Sequence, residues 1–502
     1  MNVFDLLASA ARRWPRHPAL VGEDDTITTY ADAEAAARAV AAALIARGVR
    51  PGDRVGCLMQ NGVEHYLAYF GVAAAGAILV SLNTRLAVNE QAAILQHAEA
   101  HALLHDAAGA ARAEELRQLR PIELLDARVA ARATPATGLS LANSDDPAHL
   151  YYTSGTTGAP KGVVLSHGNV TTHAANAVDE LSLAQDDVWA HIAPMFHLAD
   201  AWATFGITQA GGRHVFLPHF TAQAALDLLQ KARVTITNLV PTMLNLMVKE
   251  PGAADRDYAL RVMLSGGAPI APDVVRRILG TFCCDYVQTY GMTETSPYLS
   301  LSIPPPELRR LPLEEQLRWK CKTGRAFTGV TLRVVHPDGS DVAADGRTVG
   351  EVRVAGATVT KGYWRNPEAT AAAFDERGFL MTGDLATIDE HGFIDIVDRL
   401  KDVIKTGAET VYSVEVENVL MEHPAVLECA VFGRPDPLWG ERVVAAVVLR
   451  PGAHADEAEL IAAAKARIAH YKAPKQVVFL DALPRTGSGK IQKRVLREPA
   501  DG

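Results

Sequence analysis

Tyr151-Tyr152-Thr153-Ser154-Gly155-Thr156-Thr157-Gly158-Ala159-Pro160-Lys161-Gly162 is the stretch around which this chain is organised. Ahead of it, His149-Leu150-Tyr151-Tyr152 is a short apolar run that reads as a buried strand. Behind it, Val163-Val164-Leu165 is apolar again, and Ser166 is placed to cap a helix over 169–178. The middle holds small hydroxylated residues, glycines and one lysine. Such a loop lets backbone N–H groups approach a polyanion closely, and Lys161 adds positive charge. Two glycines alone would read as an ordinary turn; the hydroxyl run ending in Pro-Lys-Gly reads as a phosphate site. A Walker A loop needs Gly, four residues, then Gly-Lys-Ser/Thr. Here Pro160 follows the four residues after Gly155, and Gly162 comes after Lys161, so that reading fails on spacing.

The chain has 502 residues, enough for more than one core, with 48% hydrophobic and 21% charged residues as in a soluble globular protein. A net charge of -9 without any Lys/Arg-rich run excludes a non-specific nucleic-acid binder. Any phosphate must therefore be held by a local site. Cys57, Cys283, Cys284, Cys321 and Cys429 show no metal or redox spacing and read as reduced thiols of a cytoplasmic protein. The first residues lack the basic start and apolar run of a signal peptide. Residues 66–82 are apolar, but they fall short of the ~20 residues a membrane span needs. A helix into Ala74 followed by a strand at 77–80 is expected there instead.

Further strands and helices alternate over the first hundred residues: a helix at 28–47, a strand at 54–59, helices at 62–74 and 88–97, and a strand at 102–104. The alternation implies an α/β domain with parallel or mixed sheets. Residues 106–144 read as an irregular surface region. Met263-Leu264-Ser265-Gly266-Gly267-Ala268-Pro269 reads as strand and tight turn before a helix from Pro272. Tyr286-Val287-Gln288-Thr289-Tyr290-Gly291-Met292-Thr293-Glu294 gathers a ring, a glycine, a hydroxyl and a carboxylate. These suit a nucleotide beside a metal: the ring stacks on a base, the hydroxyl meets phosphate and the carboxylate holds Mg²⁺. Thr382-Gly383-Asp384 opens a hairpin that would present an exposed aspartate. Asp398-Arg399-Leu400-Lys401-Asp402 reads as a boundary, dividing 1–398 from a small mobile α+β domain over 402–502 with a hinge at 399–401. Pro194-Met195-Phe196-His197 reads by itself as core.

In their order, these motifs and the terminal Gly489-Lys490 resemble the adenylate-forming superfamily, and within it the acyl- and aryl-CoA synthetases. The resemblance implies that a carboxylate attacks the α-phosphate of ATP to give acyl-AMP and pyrophosphate, and that the thiol of CoA then displaces AMP. It assigns Thr153, Ser154, Gly155, Thr156, Thr157, Gly158 and Lys161 to the triphosphate, with Thr156 also beside the metal. Gly267, Ala268, Pro269, Gln288, Tyr290 and Gly291 would form the adenine slot. Thr293 would touch the α-phosphate and Glu294 the Mg²⁺, while Asp384 and Arg399 hold the ribose. His197 would stand at the entrance of the acyl pocket, Lys490 would stabilise the adenylation transition state, and Lys401 would be the hinge. Gly407 and Ala408 would lie on the thiol path, where the family commonly has two glycines. Phe196, Ala199, Ala203, Gly206, Leu239, Met243 and Gly267 are candidates for the acyl pocket, and their apolar character suits a fatty or aromatic acid. The alternative is an adenylating ligase that passes the acyl group to an amine, to a carrier-protein thiol or into a ring. The partners expected are the acid, ATP and CoA, with no nucleic acid and no membrane span; a homodimer is the assembly considered.

Overall fold

Thr29 shows how the expected helices start: its hydroxyl accepts the amide N–H of Asp32, and the helix Tyr30–Ala46 follows. The computed structural model describes residues 1–137, 139, 142–153, 160–268, 270–407, 409–485 and 491–497. The chain divides into two units, Met1–Leu332 with Val354–Leu380 and Arg333–Arg353 with Met381–Gly502.

The first unit is built on two sheets. In the nine-stranded one, Pro18–Val21, Arg213–Phe216, Val188–His191, Ile236–Leu239, Val262–Gly266 and Asp285–Gly291 run parallel side by side, with antiparallel strands at both edges. Every residue of Val262–Gly266 is buried, as expected of a parallel strand covered on both faces. In the six-stranded sheet, Glu123–Asp126, Ala100–His105, Arg54–Leu58, Ile78–Ser81 and Pro147–Thr153 are parallel, and Lys161–Ser166 turns back antiparallel at the edge. Phe4, Tyr30, Val40, Tyr66, Phe70, Phe205 and Phe216 belong to one apolar cluster of this unit. Each such buried side chain contributes about 1.5–3 kcal/mol.

The uncharged run at 66–82 resolves into the helix Val63–Ala74 and the strand Ile78–Ser81, and no described helix is long and apolar enough to cross a membrane. The region 106–144 departs from the irregular surface expected. It contains the helix Ala110–Leu119, the edge strand Glu123–Asp126 and the short helix Ala127–Ala130. Only Ala113 and Leu116 of the longer helix are buried, so its apolar stripe is too thin to stand out by periodicity.

The second unit contains the hairpin Leu380–Ile388 and Ile394–Arg399 of a four-stranded sheet. It also contains a five-stranded sheet centred on the long antiparallel pair Val426–Asp436 and Gly440–Leu449. The helices Ser413–Met421 and Glu457–Lys465 contribute Val416, Leu420, Leu460 and Ala464 to the core of that sheet. The boundary read at 398–402 lies inside this unit, where the Asp398 carboxylate accepts the amide and the hydroxyl of Ser413.

Candidate active site

The hydroxyl-rich stretch joins the antiparallel strands Pro147–Thr153 and Lys161–Ser166 at the edge of the six-stranded sheet. Thr153 stands opposite Lys161, and the register continues through Tyr152 and Gly162. Ser154, Gly155, Thr156, Thr157 and Gly158 lie outside the described residues. On its other side, the Lys161–Ser166 strand meets the segment 362–364. Val163 bridges Tyr363, the Trp364 N–H donates to the Gly162 carbonyl at 2.7 Å, and the Val164 N–H donates to the Gly362 carbonyl at 3.1 Å. The Lys161 ammonium lies 5.2 Å from the centre of the Tyr363 ring, within cation–π range. The Tyr363 hydroxyl in turn donates to Oε1 of Glu294 at 3.0 Å. Glu294 is 7% exposed, in the single turn Thr293–Thr295, and its carbonyl accepts the Thr360 N–H at 2.7 Å. Burial, and then the Glu294 charge, push the Tyr363 phenol well up, so it stays a donor through neutral pH. Lys161 and Glu294, read from separate motifs, thus share one neighbour. Tyr363 itself escaped the sequence reading; its only local signal is an aromatic directly after Gly362.

The adenine-slot motifs meet at the ends of adjacent parallel strands, where Gly266 pairs with Thr289. A Cβ on Gly266 would stand 2.3 Å from the Thr289 hydroxyl oxygen, so the strands close up only around a glycine. Gly267 turns the chain at φ +85°, a left-handed conformation that costs other residues about 1–2 kcal/mol. Gln288 is buried, donates from Nε2 to the Ala268 carbonyl at 2.9 Å, and accepts the Tyr286 hydroxyl at Oε1. Its amide therefore fixes the Gly267–Ala268 turn. Tyr290 and Thr293 are half-buried and Gly291 is exposed at the end of the strand, while Pro269 lies outside the described residues.

His197 is half-buried and directly precedes the helix Leu198–Ala210. The backbone ahead of it is held by side chains from the six-stranded sheet and its neighbouring helix. Asn61 donates to the carbonyls of His191 and Ala193 and accepts the Met195 N–H; the Tyr69 hydroxyl donates to the Met195 carbonyl at 2.7 Å, and the Ser81 hydroxyl to the Phe196 carbonyl at 3.0 Å. Among the pocket candidates, Ala203 is fully buried and Ala199 exposed. A Cβ on Gly206 would point at the Trp202 ring, 3.1 Å away.

In the second unit Asp384 is not presented at a hairpin entrance as expected. It lies within its strand opposite Arg399, only 4% exposed, with its Oδ1 3.0 Å from the guanidinium Nε. Cross-strand pairing has covered the carboxylate with a cation. Lys401 is exposed just beyond this pair. Gly407 has φ +64° and donates its N–H to the Trp439 carbonyl. Ala408 and Lys490 lie outside the described residues, and no cluster of three or more potential metal ligands occurs among those described.

A lysine-based hairpin beside a buried, oriented carboxylate at the ends of parallel strands suits an enzyme that handles nucleotide phosphates. The chain belongs to the AMP-binding enzyme family, whose model matches residues 7–364, while that of the family's C-terminal domain matches residues 415–490. It is 39% identical over 491 residues to a feruloyl-CoA synthase of an Amycolatopsis species, covering 97% of this chain and 96% of that one. It is 37% identical over 521 residues to a long-chain-fatty-acid–CoA ligase of Thermus thermophilus, covering 99% and 95%. Among solved structures, ATP-bound MatB from Rhodopseudomonas palustris superposes with a TM-score of 0.89 at 33% identity, covering 99% of this chain and 98% of that one.

Proposed function

We propose that this enzyme is an ATP-dependent acyl-CoA ligase acting on a mainly apolar, fatty or aromatic, carboxylic acid. The observation that carries the proposal is the Lys161–Tyr363–Glu294 arrangement at the base of the hydroxyl-rich hairpin. In the first step an oxygen of the acid attacks the α-phosphorus, the bond from that phosphorus to pyrophosphate breaks, and acyl-AMP forms. In the second, the CoA sulfur attacks the acyl carbon, the bond to AMP breaks, and the thiol proton leaves to solvent.

Lys161 and the hydroxyls of Thr153 to Thr157 bind the triphosphate. Gln288 holds the Gly267–Ala268 turn against the adenine, next to Tyr290 and Gly291. Glu294 suits Mg²⁺ arriving with the phosphates, since that ion is commonly held by one or two carboxylates plus substrate oxygens. The ion would supply charge neutralisation there, and Tyr363 would keep the carboxylate oriented. Thr293 contacts the α-phosphate, His197 stands by the reacting carboxylate, and Lys490 offsets charge as it builds in the first transition state. Asp384 and Arg399 form the ribose site as a pair, with Lys401 as the hinge and Gly407–Ala408 on the thiol path.

The test incubates the enzyme with ATP, Mg²⁺, CoA and a panel of fatty and aromatic acids. Acid-dependent pyrophosphate, AMP and acyl-CoA are expected in equal amounts. Formation of ADP, or acyl-AMP that accumulates untouched by CoA, would overturn the reading.

A further inference from the structure

Asn238 sits near the end of the parallel strand Ile236–Leu239, two residues before Val240 leads into the helix Pro241–Met247. It is 5% exposed. Its Nδ2 donates to the carbonyl of Ala199 at 2.8 Å, so the side chain reaches the first turn of the helix that His197 begins. That bond also fixes which end of the amide is which, because the reverse orientation would set two carbonyl oxygens against each other. Oδ1 therefore lies beside the same turn. It is buried and has no hydrogen-bond partner within the protein. Buried polar groups are almost always paired, and an unpaired acceptor is costly to keep.

Leu264 pairs with Asn238 on the neighbouring strand, and Ala203 lies one helical turn beyond Ala199; both are apolar and fully buried. Ala199 is exposed, so the turn that Asn238 touches reaches the surface, a short way from the buried Oδ1. A lone acceptor in such a place recognises a single donor. We infer that Asn238 is a specificity-determining residue whose Oδ1 accepts a hydrogen bond from a hydroxyl on the acyl portion of the substrate, which makes the preferred acid a hydroxyl-bearing one. The inference rests on the acyl-CoA ligase reading and narrows its substrate class.

The experiment compares acids that differ by one group. The pairs are 4-hydroxycinnamate and cinnamate, 4-hydroxybenzoate and benzoate, and 3-hydroxydecanoate and decanoate, with an O-methyl analogue of each hydroxy acid. The hydroxylated member of at least one pair is expected to exceed both its deoxy and its O-methyl partner by about ten- to hundredfold in kcat/KM, the span set by leaving one buried acceptor unpaired. Methylation keeps the oxygen and removes the donor, so it separates hydrogen bonding from size or polarity. In Asn238→Leu this preference should collapse towards unity; a preference that survives in the soluble variant overturns the assignment. If Asn238→Leu does not fold, Asn238→Ser, which shortens the acceptor, is read in the same way, and the wild-type ratios stand alone as a test. Equal kcat/KM across every wild-type pair means that water satisfies Oδ1, and the inference fails while the ligase reading stands. If no acid in the panel gives acyl-AMP or acyl-CoA, it is the ligase reading that fails.

Discussion

Tyr363 is a useful place to test the site because its hydroxyl has one evident task. Replacing it with phenylalanine keeps the ring under Lys161 and removes the donor to Glu294. A hydrogen bond to a charged group contributes about 1.5–3 kcal/mol, so acid-dependent pyrophosphate release should fall roughly 10- to 100-fold. The Mg²⁺ concentration for half-maximal rate should rise, and the melting temperature should barely move. An unchanged Mg²⁺ titration would detach Tyr363 from the metal role proposed for Glu294. Lys490→Ala is expected to lose at least roughly 10²-fold in acyl-AMP formation while largely sparing transfer from supplied acyl-AMP. Equal loss in both half-reactions, measured separately, contradicts that assignment. Lys161 and Glu294 stand out in the sequence because each sits in a compact motif whose chemistry is local. Tyr363 does not: its contact with Glu294 spans 69 residues and depends on an isolated bridge that no periodicity announces. Asp384 stands out by its motif, but the exposure expected of it is not observed, because its cover comes from Arg399 on the neighbouring strand.

Between the two sheets of the first unit, Asn61 does the work of a short missing strand. Its amide engages the His191 and Ala193 carbonyls, the Leu217 carbonyl and the Met195 N–H, which fixes the irregular backbone that delivers His197. Asn61→Ala would strand several buried backbone groups at a cost of about 1–3 kcal/mol each before relaxation. A lower melting temperature is expected, together with a KM for the acid that rises more than the KM for ATP, since the segment leads into the proposed acyl pocket. Equal changes in the two would make Asn61 a general structural residue. Elements with strong punctuation were readable: Ser166 as a cap, and the strand–turn–helix around Gly266, Gly267 and Pro272. The helix Ala110–Leu119 went unread because alanine, arginine and glutamate give it helix propensity without a clear buried stripe.

Across the whole first unit, the largest pH-dependent feature is its set of buried histidines. Burial pushes His65 and His167 down to about 4, and His149, His173 and His191 down to about 3, with His214 also lowered. All of them ordinarily titrate near 6.5. Between 6.5 and those depressed values the unfolded chain binds protons that the folded one refuses, so stability is full above 6.5 and falls as the pH drops. One carboxylate opposes the trend. Burial raises Asp200, which as a neutral acid donates to Nδ1 of His191 at 2.5 Å; its proton is lost on unfolding above the ordinary 3.8 and offsets one histidine. Each remaining net proton is worth about 1.4 kcal/mol per pH unit, against a typical total stability of about 5–15 kcal/mol. Two pH units below neutrality the net five would together withdraw about 10 kcal/mol, comparable with that total. Trp189 and Trp202 are fully buried against each other, with ring centres 5.1 Å apart, so tryptophan fluorescence reports on this core. Urea midpoints followed by that signal should fall steadily from pH 7.5 to 5.5, with net proton uptake on unfolding. A midpoint that holds or rises over that interval would mean that these imidazoles are already charged, or paired, in the folded protein.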